Sequence, residues 1–379
     1  MKETMTSRER VLAAIEHRIP DRMPIDLGMH FSTGISAFAY HELRKYLGLD
    51  TDNIRVPDVI QFLARVDDDI LRRFHCDCIL LDPPFVQPHV FSPRDDLRFI
   101  VPHTFRPILN EKGEWHADGI EGKHMRMPPN GYFFDGDWPC FRDSGMETYL
   151  DRSAREAERI FHETEYFTMF QGVSGIYDQS IEMMLRMYEE PDELLADNEK
   201  ETVKEIAFVK KIAGKMGDHI QGLCLGSDLG AQNGPMMNPD MYAEFFAPYL
   251  KRLCTCIHEY SGYKVFMHTC GSIKPFLPIL IDCGIDIINP VQHTAKDMDP
   301  KELKETFGGK LTFWGGGVSC QTVLNFGTAD EVRQNVRELT AIFKPNGGFV
   351  FNPIHNILGN VPPEKIVAVY DEAYKNSFY

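Results

Sequence analysis

The chain has 379 residues, with 40 Lys and Arg against 56 Asp and Glu for a net charge of −16, and it is 43% hydrophobic and 25% charged. These proportions exclude a disordered, collagen-like or coiled-coil chain. The acidic balance argues against a nucleic-acid partner, because phosphate binding needs a concentrated basic face. No apolar run approaches the ~20 residues of a membrane span, and the N-terminal residues resemble neither a secretory signal nor a transit peptide. We therefore expect a cytoplasmic protein that binds neither membranes nor nucleic acid.

The first part of the chain predicts an alternation of helices and strands. Capping and helical spacing predict a helix over residues 6–17, and an apolar run predicts a strand over 23–27. Two helices are expected at 36–47 and 56–74 before a second strand at 79–82, which a Pro-Pro pair ends. This order is typical of the start of an α/β fold.

Residues 85–140 break this rhythm, because they alternate hydrophobic and polar positions around turn-like segments. We predict an insertion of antiparallel strands there, within one domain that spans 1–379. Beyond it, the remaining predicted helices are 143–160, 176–188, 191–215, 239–260, 273–282, 328–343 and 363–374. The remaining predicted strands are 166–171, 220–225, 264–267, 285–288, 311–315 and 349–351.

Eight short apolar strands that alternate with helices predict parallel βαβ units, and eight such units in about this length predict a (β/α)8 barrel. A doubly wound sheet is the alternative. It is disfavoured because no Gly-x-Gly-x-x-Gly follows an early strand and because polar residues recur after nearly every strand. The expected fold is therefore an α/β barrel with an N-terminal helix and a β-rich insertion after strand two.

In such barrels, the residues just after the strands share the active-site mouth. Taken alone, each could be a helix cap or a turn residue, but here many separate segments converge on one place. The predicted mouth residues are Asp26, Asp82, Gln171, Asp228, Gln232, His268, Cys270, Asn289, Gln292, Cys320, Asn352 and His355.

The pair His268-x-Cys270 is the most informative motif. Period two at a strand end sends both side chains to the same side, so an imidazole and a thiolate can bind one ion. Zinc suits this nitrogen and sulfur pair better than magnesium or calcium. The third ligand is open at this stage, and the candidates are Cys320, His355, Asp82 and Asp228. The alternative is a hydrogen-bonding histidine beside a buried cysteine.

The other cysteines give no comparable signal. Nine cysteines in a long chain do not predict a disulfide framework. The pairs Cys76 and Cys78, and Cys254 and Cys256, lack partners at the spacing of a metal-binding finger, and we expect them to be structural. No Gly-x-Ser-x-Gly motif is present, which disfavours a serine hydrolase.

Several segments together resemble the uroporphyrinogen decarboxylase superfamily and, within it, the corrinoid-dependent methyltransferases. The resemblance extends from about residue 5 to 375. The segments that carry it are 6–15 (TSRERVLAAI), 21–24 (DRMP), 268–271 (HTCG), 288–292 (INPVQ), 313–316 (FWGG) and 347–357 (GGFVFNPIHNI). It implies a (β/α)8 barrel with a substrate at its mouth, a zinc ion, and methyl transfer to or from the cobalt of a separate corrinoid protein. A homodimer is expected from the family alone.

Two departures from the family pattern change these expectations. The decarboxylases carry an Arg-Gln-Ala-Gly-Arg stretch after strand one, which binds the carboxylates of the porphyrinogen, whereas residues 28–34 contain no arginine here. Decarboxylation of uroporphyrinogen is therefore disfavoured, although Asp82 lies where the family keeps its essential aspartate. Thiol-methylating members place a cysteine after the last strand, where this chain has His355. His355 is therefore preferred over Cys320 as third ligand.

The predicted function is methyl transfer from a small O- or N-methylated compound to Co(I) of a corrinoid protein, with zinc assistance. The reverse reaction, onto a thiol or tetrahydrofolate, uses the same residues. Asp82 and Asp228 are the predicted catalytic acids. The predicted substrate-binding residues are Gln171, Gln232, Asn289, Gln292 and Asn352. Phe31, Phe85, Tyr132 and Phe133 could wall an aromatic substrate or serve only in packing. The alternatives are a decarboxylase that acts on another carboxylic acid and a non-catalytic binding barrel.

Overall fold

Parallel strands in a ring form the centre of the molecule. The computed structural model describes residues 3–119, 122–177 and 180–379. The strands are β1 Ile54–Arg55, β2 His89–Phe91, β3 Phe99–Val101, β4 Ile108–Leu109, β5 Trp115–Asp118, β6 His124–Met127, β7 Asp135–Gly136, β8 Phe170–Ser174, β9 Gly222–Gly226, β10 Gly230–Ala231, β11 Gly234–Pro235, β12 Lys264–His268, β13 Ile287–Asn289, β14 Thr312–Trp314 and β15 Phe349–Val350. Six of them pair in the parallel order β15-β14-β13-β12-β9-β8.

Two further chain segments close this sheet. Ile25 forms a parallel bridge with Phe351 beyond β15, and Cys78 forms one with Phe167, which precedes β8. The backbone N–H of Asp77 donates to the carbonyl of Ile25 at 2.7 Å, which joins the two segments to each other. The ring of eight predicted strands is therefore complete, and the (β/α)8 barrel is confirmed. The two barrel segments that contain Ile25 and Cys78 pair through single bridges rather than through longer ladders.

The helices surround this ring. They are α1 Ser7–Ile15, α2 Ala37–Tyr46, α3 Asp68–Arg73, α4 Met146–Glu163, α5 Ile181–Glu189, α6 Pro191–Met216, α7 Pro239–Phe245, α8 Ala247–Ser261, α9 Leu277–Cys283, α10 Pro300–Phe307, α11 Ala329–Phe343 and α12 Pro363–Lys375. A π-helical turn covers Cys320–Leu324. Among the described residues, no helix combines the length and the hydrophobicity that crossing a membrane requires.

The barrel has two distinct apolar regions. In β12, Phe266 belongs to a cluster inside the barrel, whereas Val265 and Met267 pack between the barrel and its helices. This alternation follows from the period-two geometry of a strand. Val11 and Ile15 of α1 join the interior cluster. The predicted N-terminal helix therefore covers one end of the barrel.

The insertion is rich in β-structure, as predicted. The strands β4 to β7 form an antiparallel sheet, and β2 and β3 form a second small sheet with β1, in which β1 runs parallel to β3. The backbone N–H of Phe134 donates to the carbonyl of Ile60 at 2.8 Å, so the insertion contacts the loop before α3. The insertion therefore lies against the barrel mouth.

The predicted helix over 56–74 is wrong for most of its length, since only Asp68–Arg73 is helical. The side chain of Asp58 accepts hydrogen bonds from the backbone N–H groups of Ile60 and Gln61, and Phe62 has a φ of 56°. These local bonds replace helical ones, which is the usual effect of Asp in a turn. The apolar spacing in this segment comes from irregular chain that is buried on both sides.

Two other helix predictions need correction. The predicted helix over 239–260 is divided at Phe246 into α7 and α8, and the helix expected over 273–282 begins as a 3-10 turn before α9. Helix α10 was not predicted, although Asp299 caps it by accepting a hydrogen bond from the N–H of Glu302. Its short length, only two turns, gives too little periodicity to detect.

Buried ion pairs hold the end of the barrel that α1 covers. Asp77 is fully buried, and its carboxylate accepts hydrogen bonds from Arg10 at 2.6 Å and from Arg22 at 2.7 Å. It also accepts from the backbone N–H of Ile25, so this one side chain connects the first two segments of the barrel, which contain Ile25 and Asp77. Arg10 pairs in addition with Asp21 at 2.7 Å. Burial alone would raise the pKa of Asp21, but hydrogen bonds from Arg10 and the nearby backbone hold it well below its usual range. We call Arg10, Asp21, Arg22 and Asp77 the base cluster.

Candidate metal centre

Three potential metal ligands meet at the carboxyl end of the barrel strands. His268 ends β12, Cys270 lies two residues beyond, and His355 follows the last strand. One ligand atom from each lies within 4.8 Å of the others, and Nε2 of His268 is 3.5 Å from Sγ of Cys270. The two imidazole rings are 5.8 Å apart, edge to face. We call these residues the mouth cluster.

The geometry separates the two leading candidates for a third ligand. His355 belongs to the mouth cluster, whereas Cys320 is buried and its thiol donates to the carbonyl of His355 at 3.3 Å. Burial raises the pKa of Cys320 to about 11. Cys320 therefore packs beneath His355 in this structure, and its role as a ligand is not supported by its position.

The mouth cluster has the donor set of a zinc site, and one of its ligand pairs also has the spacing of one. Tetrahedral zinc with bonds of about 2.0–2.3 Å places its ligand atoms roughly 3.3–3.8 Å apart, which the His268–Cys270 distance matches. Burial, with the nearby His268, lowers the pKa of His355 to about 3, so its imidazole is neutral as a ligand must be. Burial and the neighbouring Asp228 raise the pKa of Cys270, and a bound cation would favour its thiolate. The residues fit zinc.

Asn289 orients His268. Its Oδ1 accepts from Nδ1 of His268 at 2.8 Å and from the hydroxyl of Ser32 at 2.6 Å, while its Nδ2 donates to the carbonyl of Trp314 at 3.0 Å. Because that carbonyl can only accept, the amide has one orientation, with Oδ1 towards His268. Nδ1 of His268 must then carry the proton, which leaves the lone pair of Nε2 directed at the cluster.

The two predicted catalytic acids lie in different places. Oδ1 of Asp228 is 3.8 Å from Nε2 of His268 and accepts from the backbone N–H of Cys270 at 2.7 Å. Asp82 instead forms an ion pair with Arg55 and lines a cavity of about 420 Å³ that also includes Gln171. Burial raises the pKa of Asp82 despite the neighbouring Arg55. Asp228 therefore adjoins the mouth cluster, and Asp82 faces a separate cavity.

The remaining predicted substrate-binding residues make hydrogen bonds within the protein. The amide of Gln171 bonds the backbone of Met29 and Phe31 in the loop after strand one. Gln292 accepts from the N–H of Gly271 at 2.8 Å and donates to Gln232 at 2.9 Å. Asn352 is fully buried, and its Nδ2 donates to the carbonyls of Asp26 and Thr33. Their observed partners hold the mouth loops in place, and a contact with substrate stays a prediction.

Sequence reasoning missed two neighbours of the mouth cluster. The ring of His30 stacks on that of His268 at 5.7 Å, and Nδ1 of His30 lies 2.7 Å from the hydroxyl of Ser32. Both residues lie in segment 28–34, from which the sequence analysis names only Phe31. A histidine directly after a barrel strand was the available signal. Asp26, in contrast, is fully buried and accepts from the indole N–H of Trp314 at 2.9 Å, so it acts inside the barrel wall.

Comparisons with known proteins agree with this architecture. The structure resembles a methyltransferase from Methanosarcina mazei with a TM-score of 0.60 and 15% sequence identity, over 98% of this chain and 99% of that one. A uroporphyrinogen decarboxylase from Thioalkalivibrio sulfidiphilus (strain HL-EbGR7) is 26% identical over 145 residues. That match covers 38% of this chain and 39% of the relative's length.

A family model described as uroporphyrinogen decarboxylase (URO-D) matches residues 177–375, which is more than half of the chain. The matched part contains the whole mouth cluster and most of the barrel strands. The resemblance inferred from the sequence motifs is thereby confirmed at the level of the family. The chain belongs to the uroporphyrinogen decarboxylase family.

Proposed function

We propose that this protein is a zinc-assisted methyltransferase of a corrinoid-dependent system. It would move a methyl group between a small O- or N-methylated compound and the cobalt of a corrinoid carried by a partner protein. The observation that carries the proposal is the mouth cluster, which joins two imidazoles and a thiol at the carboxyl end of the barrel strands. Catalytic sites of such barrels lie at this end.

Each residue near the cluster has a distinct part in the proposal. Zinc held by His268, Cys270 and His355 would act as a Lewis acid on the heteroatom that bears the methyl group. Asn289 fixes the ring of His268 through Nδ1. Asp228, 3.8 Å from Nε2 of His268, is placed to give a proton to the heteroatom or to take one from it.

The early loop disfavours the activity after which the family is named. Residues 28–34 contain no arginine, so a substrate with several carboxylates lacks a cationic cradle there. The fold is shared with a methyltransferase along nearly the whole chain.

The proposal has four further parts. The protein is a single barrel domain with the insertion at 85–140, it is located in the cytoplasm, and it forms a homodimer. The reaction also runs in the reverse direction, onto a thiol or tetrahydrofolate.

The test combines metal analysis with the visible spectrum of cobalamin. Zinc-loaded protein, incubated with Co(I) cobalamin and candidate methyl donors, is expected to form methyl-cobalt over time. His268→Ala and Cys270→Ala should lose both zinc and the reaction, whereas Cys256→Ala on α8 should keep both. Full activity of metal-free protein would overturn the zinc assignment, and no methyl-cobalt with any O-, N- or S-methyl donor would overturn the proposed function.

A decarboxylase that acts on another carboxylic acid is the second candidate. The observation in its favour is the cavity of about 420 Å³ whose wall includes both Asp82 and Arg142. A carboxylate could pair with Arg142 while Asp82 exchanges a proton with the substrate. Release of carbon dioxide that is lost in Asp82→Asn but retained in His268→Ala would favour this candidate over the methyltransferase.

A further inference from the structure

The early loop, residues 28–34, is held in place by amide side chains from other parts of the barrel mouth. The amide of Gln171 donates to the carbonyl of Met29 at 3.2 Å and accepts from the N–H of Phe31 at 3.3 Å. The amide of Asn356 donates to the carbonyl of Phe31 at 2.8 Å. A backbone fixed in this way holds the side chains that it carries in defined positions, which a functional site requires.

Two side chains of the early loop connect it to the mouth cluster. The ring of His30 stacks on that of His268, with the ring centres 5.7 Å apart. Nδ1 of His30 is 2.7 Å from the hydroxyl of Ser32, and this hydroxyl is 2.6 Å from Oδ1 of Asn289. Because Asn289 also accepts from Nδ1 of His268, the four side chains form one hydrogen-bonded chain.

The protons in this chain can be assigned from its acceptors. Nδ2 of Asn289 donates to the carbonyl of Trp314, so the oxygen that faces Ser32 is Oδ1, which has no proton. The hydroxyl of Ser32 has a single proton and donates it to this oxygen. The hydroxyl oxygen can then only accept from Nδ1 of His30, so Nδ1 carries a proton.

The backbone offers His30 a competing arrangement. The N–H of Ser32 lies 3.1 Å from the same Nδ1 and could donate to it only if that nitrogen had no proton. The contact with the hydroxyl is shorter, at 2.7 Å, and the proton of the hydroxyl is engaged with Asn289. Loss of either the Ser32 hydroxyl or the Asn289 oxygen would therefore remove the preference and favour the other tautomer.

The assigned tautomer leaves a neutral His30 ring with a free lone pair on Nε2. Nε2 has no hydrogen-bond partner among the described residues, and it is not one of the enclosed polar atoms that lack one. The ring is half-buried, and Phe266 fills the barrel interior beside it, 5.1 Å away. The open side of His30 therefore faces the mouth, next to His268.

We propose that His30 is a further residue of the reaction, whose Nε2 accepts a hydrogen bond from an O–H or N–H of the bound ligand. Asn289 sets the tautomer of His30 through Ser32, as it sets that of His268 directly. The inference rests on the proposed function: when the methyl group leaves, its bond to oxygen or nitrogen breaks, and the heteroatom of the product takes up a proton. The ligand atoms of the mouth cluster meet within 4.8 Å without His30, which assigns its contact to the ligand and not to the metal.

Nitrogen NMR of the metal-free, full-length protein with nitrogen-labelled histidine tests the tautomer. We expect the proton of His30 on Nδ1 in the unaltered protein. Ser32→Ala and Asn289→Ala should move it to Nε2, because the N–H of residue 32 or the released hydroxyl then donates to Nδ1. The control is Ser377→Ala, which removes a buried hydroxyl that donates to the carbonyl of Tyr374. A proton on Nε2 in the unaltered protein, or no change in Ser32→Ala, would overturn the inference.

Variants of His30 test the contact with the ligand. With a methyl donor that forms methyl-cobalt, His30→Phe should lower kcat/KM by roughly tenfold, because it keeps a ring but loses the acceptor. It should keep the bound zinc. His30→Gln should retain most of the activity, since its amide oxygen can occupy the position of Nε2. Equal losses in the two variants, or loss of zinc in His30→Phe, would overturn the assigned contact.

Failure of this inference and failure of the proposed function give different results. If no donor forms methyl-cobalt, the proposed function is overturned and the contact of His30 with it, whereas the NMR result on the tautomer stands by itself. If methyl transfer proceeds at the same kcat/KM in His30→Phe as in the unaltered protein, the proposed function stands and this inference is overturned.

Discussion

The two ends of the barrel each gather polar side chains, but they do so for different reasons. At the base, Arg10 and Arg22 pair with the fully buried Asp77 at 2.6 and 2.7 Å. At the mouth, His268, Cys270 and His355 bring ligand atoms together within 4.8 Å, and the side chain of His268 remains 17% exposed. The base cluster neutralises its own charges, whereas the mouth cluster presents lone pairs that a cation would satisfy.

This difference explains why some of the motifs that identify the family stabilise the barrel, whereas others supply the candidate metal ligands. The segments at residues 6–15 and 21–24 helped to identify the family, yet they supply Arg10, Asp21 and Arg22 of the base cluster. The segments at 268–271 and 347–357 supply the mouth cluster. In barrels of this kind, recurrent residues at the amino-terminal end of the strands serve stability, and those at the carboxyl end serve chemistry.

The largest expected effect is on stability, from a change at the base. Asp77→Asn leaves Arg10 and Arg22 without their shared anion and should lower the free energy of unfolding by about 3–5 kcal/mol, as for other broken buried pairs. Urea unfolding monitored by circular dichroism measures it. Asp371→Asn is the control, because its pair with Arg73 is exposed and should contribute no more than about 1 kcal/mol. Equal losses in both variants would contradict the assigned role of the base cluster.

The next effect concerns metal affinity at the mouth. His355→Ala should weaken zinc binding more than roughly 100-fold, because it removes one of three ligands. Cys320→Ser should bind zinc as the unaltered protein does, since its hydroxyl can still donate to the carbonyl of His355. Competition with a chromophoric chelator measures both affinities. The reverse ranking would show that Cys320 is the third ligand.

A smaller effect is expected from Asn289, which connects the mouth cluster to the barrel wall. Asn289→Ala removes the acceptor for Nδ1 of His268 and should lower zinc affinity roughly 10- to 100-fold. In metal-free protein, nitrogen NMR of the His268 ring should show a proton on Nδ1, and a mixture of tautomers in the variant. Gln321→Ala, an exposed mouth residue that contacts Gln232, should change neither measurement. Unchanged affinity in Asn289→Ala would limit Asn289 to a packing role.

The sequence gives correct predictions where the signal is local. Short apolar runs that alternate with helices establish the barrel, and the period of two places His268 and Cys270 on one side of β12. The same reasoning fails over 56–74, because the side-chain bonds of Asp58 and the burial of both faces produce an apolar spacing that imitates a helix. It also gives no indication that Asn289 contacts both His268 and Ser32, which lie far apart in the chain.

By itself, the sequence determines the eight strands of the barrel, the net negative charge, the absence of an arginine cradle in residues 28–34 and the identity of the His-x-Cys pair, because each is read from composition or from neighbouring residues. Only the tertiary structure decides that His355 joins this pair while Cys320 packs beneath it, and that Asp82 faces a different cavity. Closure of the ring brings residues from distant strands to one edge, and which of them meet depends on loop paths and packing that no local pattern encodes. The abundance of polar residues after the strands therefore predicts a site at the mouth, while the fold selects the residues that form it.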